Sequence, residues 1–160
     1  MKSDETAVVL DAFQHYAARG SFRSLTAVSA ASKTELRFIW LRDVAFRVVF
    51  DPARRTLTFV DMLPAIAPRS EMDRSLRAFV KLHASLAVPE HRRVDPRRVA
   101  VKVINRGGAA SVTCSFKTRD VSYGVRKAVH LAHDILQDFL NDGRYIHYCV
   151  EHFNVSPEMA

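Results

Sequence analysis

His130 and Asp134 stand four residues apart with His133 between them, and His147 and Glu151 repeat that spacing further on. Residues four apart share one face of a helix, so each pair could offer two ligands to a metal or an acid and a base to a substrate. Neither spacing names a third ligand, and a solvated helix face accounts for the same residues, so no metal or cofactor is expected. His83 falls in an apolar stripe and reads as a core histidine with satisfied ring nitrogens. Cys114 and Cys149 are too few for a disulfide framework and lack zinc spacing; Cys114 lies on the apolar face of a strand and reads as packing. Gly107-Gly108 has no lysine at P-loop spacing and does not open a helix, so it reads as a hairpin turn. A nucleophile elbow and paired carboxylates are also missing. The expectation is a protein that is not an enzyme, with a small-molecule or metal-binding role through His130, His133 or Asp134 as a third reading.

Charge offers a second chemistry. The formal net charge is +7, and residues 1–127 hold 23 of the 24 Lys and Arg against 12 acids, whereas residues 128–160 hold only Arg144 against five. The sharpest concentration is Arg92, Arg93, Arg97, Arg98, Lys102 and Arg106. Such a run can hold phosphates without reading sequence. No stacking aromatic stands beside it, and no helix-turn-helix, zinc finger or RNA-recognition motif appears. A solvated basic face is the simpler account.

The elements that must position these residues follow from hydrophobic period. Residues 4–18 predict a helix with Val9, Leu10, Phe13, Tyr16 and Ala17 as its stripe, anionic Asp4 and Glu5 at its start and Gly20 as its stop. Phe22 to Ala30, rich in small residues and weakly patterned, is a candidate strand. Leu36, Phe38 and Trp40, then Val44, Phe46, Val48 and Phe50, then Leu57 and Phe59 alternate as three strands in a row, with a turn at Asp51-Pro52-Ala53-Arg54-Arg55. After Pro64 and Pro68, Ser70-Glu71-Met72-Asp73 reads as a capping box opening a helix over about 70–87, with Met72, Leu76, Phe79, Val80, His83 and Leu86 as its stripe. Val99, Val101 and Val103 alternate on one strand, and Ala110, Val112, Cys114 and Phe116 on the next, across Asn105-Arg106-Gly107-Gly108. From Ser122 the period changes to that of a long amphipathic helix, with Val125, Ala128, Val129, Ala132, Ile135, Leu136 and Phe139 on one face and Lys127, His130, Asp134 and Asp138 on the other. Residues 145–153 suggest a short closing helix. The fold class expected is α+β: an antiparallel sheet of about five strands packed by helices, in the order α-βββ-α-ββ-α, as a single domain over residues 1–160.

That order, with the hairpin followed by a long closing helix, resembles the type III secretion chaperone fold and the bacterial YbjN-like proteins. The stretch Leu57-Thr58-Phe59-Val60-Asp61-Met62-Leu63-Pro64 looks like the strand that leads out of the meander into the middle helix of such chaperones. The resemblance covers about residues 5–141 and rests on topology and spacing. It implies a small homodimer that holds an unfolded segment of a partner protein. Those chaperones are usually acidic, whereas this chain is basic.

Length and a hydrophobic fraction of 48% suit one globular core. The apolar runs are too short for a membrane helix, and Met1-Lys2-Ser3-Asp4-Glu5 is too acidic to open a secretory signal, so a cytoplasmic protein is expected. The first functional expectation is a non-enzymatic, chaperone- or adaptor-like, homodimeric protein that holds a polypeptide partner through exposed Phe13, Tyr16 and Trp40. The alternative is a nucleic-acid-associated protein binding phosphates through residues 92–106.

Overall fold

The structure, a computed structural model, describes residues 2–40, 44–63 and 66–139. Helix α1 (Lys2–Ala18) opens the chain. Its end closes as the glycine predicts: Gly20 takes φ +82°, its N–H meets the Ala17 carbonyl at 3.0 Å, and the Ser21 N–H meets the Tyr16 carbonyl at 3.0 Å. These two bonds satisfy carbonyls that a helix end leaves free.

Four strands follow, β1 (Arg23–Ala30), β2 (Lys33–Trp40), β3 (Val44–Asp51) and β4 (Thr56–Leu63), each antiparallel to the one before. The turn between β3 and β4 is tied by Asp51, whose Oδ1 accepts the Ala53 N–H at 3.0 Å and the Arg54 N–H at 3.3 Å. Helix α2 (Glu71–Leu82) precedes a hairpin of β5 (Val99–Arg106) and β6 (Ala109–Phe116), and helix α3 (Val121–Asp134) runs into a π-helical turn over Ile135–Phe139. The six strands lie in the order β1-β2-β3-β4-β6-β5.

The α+β class and the antiparallel sheet match the expectation; the strand count does not. The sixth strand is β1, at the sheet edge. Seven of its eight residues are exposed, so no buried face imposes a period of two on its sequence. On the other strands the alternation is set by one covered face, where Leu36, Val48, Phe50, Leu57, Phe59, Val112 and Cys114 are buried. The opposite face carries Glu35, Arg37, Arg47, Thr58 and Thr113, with the two threonine hydroxyls 3.0 Å apart. Helices α1 and α3 pack together over the covered face.

Two helix expectations need correction. Helix α2 ends at Leu82, not near 87, because His83 caps it with its N–H 3.2 Å from the Val80 carbonyl, and its own carbonyl accepts the Val94 N–H at 2.8 Å. Leu86 therefore lies beyond the helix and is 86% exposed. Lys127 is not on a solvated face of α3; it is buried under the connection from α2 to β5. The short helix expected at 145–153, with His147, Cys149 and Glu151, lies outside the described residues.

Candidate anion-binding cleft

The aromatic residues expected to face a partner mostly face the core. Phe13 is fully buried on α1 beside Val9, with its ring 5.4 Å from Phe22 and 5.7 Å from Phe38. Trp40 is buried edge-on against Phe22 and Phe46, at 5.1 and 5.6 Å. Tyr16 is half-buried, 5.2 Å from Phe22. The helical stripe placed Phe13 and Tyr16 on an apolar face, as alternation did Trp40, and those faces of helix and sheet pack together. Phe13 and Trp40 are thus corrected from an exposed docking surface to core.

The histidine and aspartate of α3 part company. Asp134 turns to the end of α2, where its Oδ2 lies 3.2 Å from His83 Nε2 and 3.1 Å from Arg92 Nε. His83 is 3% exposed, and its Nδ1 meets the Phe79 carbonyl at 3.0 Å. Arg92 spans to Asp138 as well, 2.5 Å from Nη2 to Oδ2. The π-helical turn begins immediately after Asp134 and contains Asp138. His130 stays near the surface, held below its ordinary value by partial burial and by the charges of Lys127 and Arg126 against the opposing pull of Asp134. His133 Nδ1 lies 3.8 Å from Asp134 Oδ1. Among the described residues no three His, Cys, Asp or Glu side chains come together as a metal site. The Cys114 thiol, fully buried, is pushed up to about 12 by desolvation and stays protonated.

The basic run does not form one surface. Arg92 is engaged by Asp134 and Asp138, Lys102 projects from β5, and Arg106 sits at the hairpin tip. Arg93, Arg97 and Arg98 instead gather with Arg126 and Lys127 of α3 around a cleft of about 880 Å³. Five cations line it, against the carboxylates of Glu90 and Asp95.

Helix α3 supplies the floor. Asp120 caps its start by accepting the Tyr123 N–H at 3.0 Å. Tyr123 and Lys127, one turn apart, then hold the overlying connection: the tyrosine hydroxyl accepts the Asp95 N–H at 3.2 Å, and the lysine ammonium donates to the His91 carbonyl at 3.1 Å and the Glu90 carbonyl at 3.5 Å. The Arg98 guanidinium lies 3.4 Å over the Tyr123 ring and bonds Asp120 at 2.7 Å. Arg97 grips Asp95 with two bonds, at 3.2 and 3.1 Å, and these hold that carboxyl below its ordinary value. Among the described residues the Arg93 guanidinium bonds the Val88 carbonyl alone, at 3.2 and 3.0 Å, and Arg126 is exposed. Burial, followed by the charge of Arg126, pushes the Lys127 ammonium below its ordinary value; Arg98 and Arg93 add to this, and Glu90 opposes it. An ammonium desolvated among like charges is poised to gain from an anion.

Sequence reasoning found the arginines of the connection but missed Arg126 and Lys127. Their adjacency on a helix that follows a basic run was the available signal; what it lacked was the fold of residues 84–98 back over α3. No family model matches the chain, and neither a curated protein nor a solved structure does.

Proposed function

We propose that the protein is a non-enzymatic binding module, chaperone- or adaptor-like as its element order suggests, which holds an acidic segment of a polypeptide partner in the cleft beside α3. The observation that carries this reading is the position of Leu86. It is the most exposed large hydrophobic among the described residues, and it lines the same cleft as the five cations. A segment that alternates carboxylates with apolar side chains would neutralise the one and cover the other. A nucleic acid would find phosphate partners here but little to stack on. Among the described residues Tyr123 is the one Phe, Tyr or Trp lining the cleft; it is 8% exposed and Arg98 occupies its ring face. In this reading the protein works in the cytoplasm as a homodimer and needs no cofactor. No helix of the described residues is long and apolar enough to cross a membrane.

The test is fluorescence anisotropy with a peptide library mixing acidic and apolar positions, set against single-stranded oligonucleotides of equal charge. Peptides should bind the wild type, and both Leu86→Ser and Arg126→Glu should weaken them several-fold. If Leu86→Ser leaves peptide affinity unchanged while oligonucleotides bind tighter and fall away steeply with salt, the nucleic-acid reading replaces this one.

A further inference from the structure

The cleft holds more donors than its own residues use. Lys127 has three N–H groups and spends two on backbone carbonyls. Arg93 engages Val88 through Nε and Nη2, leaving Nη1 over. Arg126 has five N–H groups and makes no hydrogen bond or ion pair among the described residues. These three lack a carboxylate partner there, unlike Arg97 on Asp95 and Arg98 on Asp120.

Resting on the polypeptide reading, we propose that the bound segment carries a phosphomonoester, held as a dianion by Lys127, Arg126 and Arg93. A carboxylate brings one charge and two oxygens to a place where three cations have donors to spare. A phosphomonoester brings nearly two charges and three terminal oxygens, which matches that number and compensates the buried lysine. The diesters of a nucleic acid bring one charge each, spread along a strand. The spare donors here surround one cleft. Arg97 and Arg98, restrained by Asp95 and Asp120, remain at its side for acidic residues flanking the phosphate.

Three peptide libraries with identical degenerate flanks and a fixed central phosphoserine, glutamate or serine test this by anisotropy at constant ionic strength. The phosphoserine library should bind roughly tenfold tighter than the glutamate one, and Lys127→Met and Arg126→Ala should each bring that ratio towards one. Leu86→Ser should weaken all three libraries alike. Circular dichroism checks that each variant is folded; should Lys127→Met not fold, the exposed Arg126 decides. Equal binding of phosphoserine and glutamate libraries overturns the phosphate proposal and leaves the acidic-segment reading intact. Binding of none of the three overturns both, and inorganic phosphate competing as well as the phosphoserine peptides overturns a polypeptide-borne phosphate.

Discussion

Asp73 shows how much one side chain can tie together. It is 3% exposed and accepts from Asn105 Nδ2 at 2.9 Å, Arg77 Nε at 3.1 Å and the Arg69 N–H at 3.4 Å, while Ser70 Oγ accepts the Asp73 N–H at 3.2 Å. Burial alone would raise its carboxyl, but the bonds from Asn105 and Arg77 outweigh that and hold it below the ordinary 3.8. Because the folded value is the lower one, the contribution to stability is complete above the ordinary value and is lost as pH falls through the folded one. Asp73→Ala should therefore cost about 1–3 kcal/mol near neutrality, since it strands Asn105 and Arg77. The difference from wild type should shrink in thermal melts taken below about pH 4. Lys127 runs the other way. Its folded value lies below the ordinary 10.5, so wild-type stability should rise as pH climbs towards that value, and Lys127→Met should lack the slope. Urea melts at neutral and alkaline pH would show it, and parallel curves would exclude it. The capping box at Ser70 was legible because it is local. The bond from Asn105 to Asp73 was not, because nothing in a sequence tells which hairpin tip meets which helix start.

Elements were legible where a covered face or a glycine marked them. The hairpin of β5 and β6 turns at Gly107 and Gly108, both at positive φ, as the sequence predicts. Strands β1 and β2 turn instead at Ala31 and Ser32, with φ +51° and +64°, and those residue types give no such signal. Hence β1, which matches the candidate strand at Phe22 to Ala30, was not counted among the five of the expected order. Leu86 was misread for a related reason. The apolar period continues past Leu82, while the chain is drawn off the helix by the bond from the Val94 N–H to the His83 carbonyl. Helix α3 carries its own test at Gly124, where a Cβ would sit 2.6 Å from the Phe116 ring. This close approach lets α3 lie directly on β6. Gly124→Ala should destabilise by about 1–3 kcal/mol despite alanine's better helix propensity, because the buried ring must move. Chemical denaturation measures it, and a stabilised variant would mean that the ring yields freely.

At the scale of the molecule, one sheet covered on one face leaves two edges to account for. On the β5 edge, Arg77 Nη1 donates to the Val103 carbonyl at 2.8 Å. On the β1 edge, β2 is the one strand paired with β1 among the described residues. Strand β1 runs eight residues, carries Arg23 as its one charge, contains no proline, and exposes 56% of Val28. Lysine, proline and shortness are the usual guards of such an edge, and β1 has only an irregularity between Arg23 and Thr26. With so little charge to repel a second copy, antiparallel pairing of β1 with itself would join two six-stranded sheets and satisfy both rows of backbone groups. It would leave the cleft beside α3 untouched, so two clefts could hold one partner with a gain in effective concentration. Such pairing would place a homodimer interface at β1. Sedimentation velocity should find the wild type as a dimer and Val28→Lys as a folded monomer, since Val28 supports no core contact that the substitution would remove. A wild type that stays monomeric at every concentration, or a Val28→Lys dimer of unchanged strength, would move the interface away from β1.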